Sequence, residues 1–124
     1  IKMPNRMIYV LALISIILGA IAQYLLKVGM NAIPLDSGKG IAFILKEAVT
    51  NIPLLGGLTC YGLSMIFWLY VLSQMELSKA YPMVSLGYVF AMLLGYFLLD
   101  ESLNVYKIAG IILIISGVVF ITKG

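Results

Sequence analysis

Residues 7–28 read MIYVLALISIILGAIAQYLLKV, a continuous apolar run whose only strongly polar side chains are Ser15, Gln23 and Lys27. A helix needs roughly 20 such residues to cross about 30 Å of hydrocarbon, and this stretch supplies them. Apolar and polar residues do not alternate here, so a lipid-facing barrel strand is excluded. With no water to bond its backbone, a run of this kind satisfies its amides internally, as a helix. It is too long for the apolar core of a signal peptide. The expectation is a retained helix, in a numbering whose leading Ile1 is not a native initiator.

The same reading extends down the chain. Further apolar spans run from about Pro53 to Met75, Ala80 to Leu99 and Val105 to Thr122. Of the 124 residues, 63% are hydrophobic and 10% charged, and the mean hydropathy is +1.12. A soluble domain commonly carries about a quarter charged residues. The expected fold class is therefore an all-α, multi-pass protein of the cell (inner or plasma) membrane, with one four-helix transmembrane domain over residues 1–124. Glu76–Lys79 and Asp100–Asn104 are short connections and make their flanking spans antiparallel neighbours. The connection between the first two spans is longer, with turn residues Pro34, Asp36, Ser37, Gly38 and Gly40. After it, Ile41, Ile44, Leu45, Ala48 and Ile52 share a face, and Lys46, Glu47 and Thr50 lie off it. This pattern predicts a short interfacial helix over about 41–51. A lead-in turn of the second span is the plainer alternative.

Charge and cysteine usage exclude several functions. The net charge is +3, but the basic residues are dispersed near span ends, which fits interfacial anchoring and not nucleic acid. There is no histidine and one cysteine, Cys60. A disulfide framework or a His/Cys metal site cannot form within one chain. No nucleophile–base pair and no phosphate loop is present, so neither an enzyme nor a cofactor is expected. The positive-inside rule is balanced: Lys2, Arg6, Lys79 and Lys123 fall on one side, and Lys27, Lys39, Lys46 and Lys107 on the other. Either the chain inserts both ways, or Lys27 is internal and the N-terminus faces inward.

Polar groups at membrane depth are costly and mark candidate sites. Gln23 and Lys27 share a face of the first span, with Gly19 one turn earlier. Tyr61, Ser64 and Trp68 follow i, i+3, i+7 spacing on the second. Tyr81, Ser85, Tyr88 and Met92 follow i, i+4, i+7, i+11 on the third. Together they are expected to line one substrate cavity, with Pro82 loosening the start of the third span. The plainer readings are that Lys27 snorkels to the headgroups, that Gln23 bonds a neighbouring helix, and that Tyr61, Trp68 and Tyr81 belong to aromatic belts. Glu76, Lys79, Asp100 and Glu101 lie at span ends, where water reaches them. No carboxylate lies within a span, so Lys27 is the deep titratable group, and an ammonium suits a phosphate or carboxylate. On the last span Ala109, Gly110, Leu113, Ile114 and Gly117 form a small-residue face that serves either a subunit interface or packing within the chain. Four helices without an internal repeat enclose little, so a second copy or a similar chain is expected as partner.

Several stretches resemble the four-helix members of the drug/metabolite transporter superfamily, which includes the small multidrug resistance proteins. GIILIISGV at 110–118 is similar to their fourth-helix pairing motif, and LLDESL at 98–103 to the loop before the last helix. The resemblance is closer to the subunits that flip aminoarabinose-linked undecaprenyl phosphate, through GLSMIFWLYVL at 62–72 and AYPMVSL at 80–86. It spans nearly the whole chain. The multidrug proteins' helix-1 glutamate falls at about Gly19 here, and their third-helix tryptophan on Val84. Against the flippase subunits, Glu76 and Lys79 are unusual and 31–52 is an elaboration. The resemblance implies a dimer moving an amphipathic, anionic or polyprenyl-phosphate-linked substrate. Two alternatives stand beside it: a proton-coupled exporter of quaternary cations, using Glu76 or Glu101, and an accessory subunit that moves nothing.

Overall fold

The computed structural model describes residues 4–124, apart from the side chain of Ser37. Helix α1 spans Asn5–Asn31, α2 Ile41–Thr50, α3 Ile52–Gln74, α4 Leu77–Met83, α5 Leu86–Leu98 and α6 Val105–Lys123, with a 3₁₀ turn at Leu35–Ser37. Among the described residues, four spans are long and apolar enough to cross a membrane: α1, α3, α4 with α5 together, and α6. The expected helices are all present, and the short helix falls at 41–50. On α2, Ile41, Leu45 and Val49 stay exposed, while Ile44 and Ala48 are half-buried. An apolar edge that the protein leaves open suits the membrane interface.

Helices α1 and α3 form the tightest pair, because small residues let their backbones approach. A Cβ on Gly29 would lie 2.8 Å from the Cβ and amide nitrogen of Leu54. A Cβ on Gly57 would lie 3.0 Å from Leu26. At mid-helix the contact becomes polar. Ser15 Oγ donates to the Ser64 carbonyl and Ser64 Oγ to the Ser15 carbonyl, each at 2.7 Å. Asn51 joins the far end: Oδ1 accepts from the Leu54 amide at 3.0 Å, capping α3, and Nδ2 donates to the Gly29 carbonyl at 2.8 Å. With Pro53 in the first turn, this is a standard helix start. The hydrophobic core lies toward the other end, where Ile8, Ala12, Ile16, Val71, Met83 and Val118 cluster.

The third span differs from the uninterrupted helix expected over 80–99. It begins at Leu77 and is broken between Met83 and Leu86. Pro82 has no amide hydrogen to offer, and the backbone continues through shorter i→i−3 bonds, from Val84 to Tyr81, Ser85 to Pro82, Gly87 to Val84 and Tyr88 to Ser85. The Ser85 hydroxyl donates to the Pro82 carbonyl at 2.6 Å, which stabilises the tightened turn. Helix α6 lies at the periphery, in contact with α4 and α5.

Candidate substrate cleft

Two adjoining hollows lie along α1, the wider facing α3, α4 and α5 and the narrower facing α5 and the loop after it. The wider, of about 760 Å³, is lined by Ser15, Ile16, Gly19, Gln23, Tyr61, Ser64, Met65, Trp68, Tyr81, Val84, Gly87, Tyr88 and Ala91. The narrower, of about 240 Å³, is lined by Ala20, Gln23, Tyr24, Lys27, Ala91, Leu94, Gly95, Leu99 and Glu101. Gln23 and Ala91 border both, so the two hollows adjoin along α1.

Of the residues expected at a substrate site, Gln23, Tyr61, Ser64, Trp68, Tyr81 and Tyr88 line the wider hollow and Lys27 the narrower. Ser85 lines neither, because its hydroxyl is turned onto Pro82. Ser64 borders the hollow, but its proton is held by the Ser15 carbonyl. Tyr61, Tyr81 and Tyr88 remain exposed, at 50%, 69% and 65%, so the hollow is open on its tyrosine side.

At the narrow end Lys27 has a partner that sequence reading left in water. Its Nζ donates to Glu101 Oε2 at 2.8 Å, across 74 positions of chain. The loop after α5 is shaped to bring the carboxylate there. Asp100 takes a left-handed φ of 55°, a conformation that aspartate tolerates better than most residues. The Glu101 amide returns to the Gly95 carbonyl at 3.0 Å. The carboxylate then lies over Gly95, where a Cβ would collide with Oε1. The Lys27 hydrogen bond and charge hold the Glu101 carboxyl below its ordinary value of 4.5, and Lys107 adds to this from α6. Lys107 itself donates to the Ser102 carbonyl at 2.6 Å. The signals for these features were faint. Asn51 before Pro53 carries a helix-start signature, Ala12, Ser15, Gly19 and Ala22 a small-residue stripe, and only Gly95 hints at the seat of Glu101.

On α6, a Cβ on Gly110 or Gly117 would meet nothing within 4 Å. Leu113 is 72% exposed, Ala109 is exposed, and Ile114 is half-buried. Among the described residues there is no cluster of three His, Cys, Asp or Glu side chains able to hold a metal.

The model of the EamA-like transporter family matches residues 7–123. A Photorhabdus laumondii protein named "Probable 4-amino-4-deoxy-L-arabinose-phosphoundecaprenol flippase subunit ArnF" is 38% identical over 121 residues, covering 93% of this chain and 96% of the relative. A Proteus mirabilis protein of the same name is 39% identical over 125 residues, covering 93% and 91%. A Pseudomonas aeruginosa subunit of that flippase, named ArnE, is 36% identical over 66 residues, covering 53% and 57%. No solved structure matches. With four membrane-crossing spans and a family match over almost its whole length, the chain belongs to the EamA-like transporter family and is a multi-pass membrane transport protein.

Proposed function

We propose that this chain is one subunit of a two-chain flippase that moves a polyprenyl-phosphate-linked amino sugar across the membrane. The single observation that carries this reading is the pair of adjoining hollows that share Gln23, one reaching Lys27 and the other lined by tyrosines. A polar headgroup can travel along such hollows while its hydrocarbon tail stays in the bilayer, because the wider hollow is open on its tyrosine side. Lys27 and Gln23 meet the phosphate and sugar at the narrow end. Tyr61, Trp68, Tyr81 and Tyr88 offer ring faces and hydroxyls further in. The names of the relatives support the substrate class, since they describe a flippase for an aminoarabinose on phosphoundecaprenol.

One copy leaves the hollow unclosed, and a similar four-helix chain, identical or related, is the natural other half. The α6 face of Ala109, Gly110, Leu113, Ile114 and Gly117 supports this role, since the space above both glycines is empty within the chain. A proton-driven cation exporter needs a carboxylate free to titrate in the path, and the one that reaches it, Glu101, is engaged by Lys27.

The test is flipping of the labelled amino-sugar lipid in reconstituted vesicles containing the chain and its co-assembled partner. Gln23→Ala and Lys27→Ala should each reduce the rate about tenfold, the effect of losing one charge-assisted contact. Unchanged flipping in both variants would remove these residues from the path.

A further inference from the structure

We propose that Lys27 and Glu101 form a charge-exchange pair that selects a zwitterionic headgroup, Lys27 taking the phosphate and Glu101 the primary ammonium of the same molecule. This rests on the flippase reading and adds to it the basis of selectivity. The pair stands at the mouth of the narrow hollow, with side chains 52% and 42% exposed, so a ligand can reach both. An exposed ion pair of this kind is weak and easily parted. Its two halves, however, are not casually placed. The left-handed turn at Asp100, the return of the Glu101 amide to Gly95 and the absence of a side chain at 95 all hold one carboxylate at one spot.

The consequence is discrimination by repulsion as well as attraction. A headgroup that carries only a phosphate would satisfy Lys27, but would strand Glu101 beside a like charge. A headgroup with a phosphate at one end of a sugar ring and an ammonium at the other replaces the internal pair with two external ones. No charge is then left unpaired. Lys107, the other cation that acts on Glu101, donates to the Ser102 carbonyl.

Phosphatidylethanolamine carries the same two groups, so the experiment must separate the sources. The full chain and its co-assembled partner are placed in nanodiscs of phosphatidylglycerol. The probes are undecaprenyl phosphate bearing 4-amino-4-deoxy-L-arabinose, the N-acetylated form of that lipid, and bare undecaprenyl phosphate. The unmodified protein should bind the free-amine lipid about fivefold more tightly than either of the others, the scale of one exposed ion pair. Glu101→Gln should erase that preference, weakening the free-amine lipid and strengthening the other two, and Glu101→Asp should restore part of it. Lys27→Gln should weaken all three. Displacement of the free-amine probe by phosphatidylethanolamine would support the pair with a phospholipid as its ligand. Retention of the preference in Glu101→Gln overturns the proposal. So does equal binding of the amine and N-acetyl lipids by the unmodified protein, an arm that needs no variant to fold and leaves the flippase reading in place. Failure to bind or flip any of the three lipids overturns that reading, and the pair with it.

Discussion

At position 95 the lack of a side chain decides where a carboxylate sits. Gly95→Ala places a methyl group where Glu101 Oε1 lies, so the carboxylate must swing away from Lys27. We expect a protein that still assembles but binds the amino-sugar lipid about fivefold more weakly, an effect checked by the same nanodisc titration. The pair also sets a pH dependence. In the unfolded chain Glu101 titrates at its ordinary 4.5, and in the folded protein Lys27 holds it lower. The pair's contribution to folding is therefore fully present above 4.5 and disappears as pH falls through the depressed value. Lys27→Gln removes the main cause and should move the Glu101 titration upward, as followed by carbon NMR on labelled glutamate. An unmoved titration would mean that Lys107 or the loop backbone holds it instead. Sequence reading found Lys27 because a cation inside an apolar run is conspicuous. It placed Glu101 in water, and gave it a role only in the exporter alternative, because a carboxylate in a five-residue loop looks solvated; only the fold brings residue 101 back over residue 27.

The seam between α1 and α3 has no slack. Gly29→Ala would bring a Cβ within 2.8 Å of Leu54, including its backbone, and overpacking of this kind costs about 1–3 kcal/mol. Asn51→Ala removes a cap and leaves the Gly29 carbonyl without its side-chain donor, at a cost of about 1–2 kcal/mol. Unfolding in mixed micelles with rising SDS measures both. The four spans were legible because a 20-residue apolar run has one solution in lipid. Their ends were less so: α1 runs past Val28 to Asn31, through residues that a hydropathy argument counts as loop. Pro82 announced a weakness, but the break itself depends on Ser85 bonding Pro82, a local competition with the helix ladder that spacing does not reveal. Tyr81 and Tyr88 stand on either side of that break. Pro82→Ala restores an amide donor to α4. The expected result is slower flipping with lipid affinity unchanged, because Pro82 lines neither hollow.

For the molecule as a whole, the open questions concern what lies outside one copy. A Cβ at Gly110 or Gly117 meets nothing within 4 Å, so Gly110→Ala and Gly117→Ala are the variants to compare. Both variants should fold normally, yet lose the assembled form when a neighbouring α6 packs there. Cross-linking in native membranes, followed by sizing of the extracted protein, distinguishes the two outcomes, and an undisturbed assembly would place the partner on another face. The small-residue face was readable in the sequence, but its spacing alone fitted packing within the chain equally well. Of the three polar-aromatic faces read in the sequence, Ser85 and Met92 border neither hollow.

The crossed serines at mid-membrane bear on how such a protein changes shape. Sliding α1 along α3 by even one residue would unmake both Ser15–Ser64 bonds together. Both hydroxyls would lose their cross-helix acceptors, at about 1 kcal/mol each. The two helices are thus tied as one unit. On the proposed flippase reading, the broken third span is the element left free to move against them.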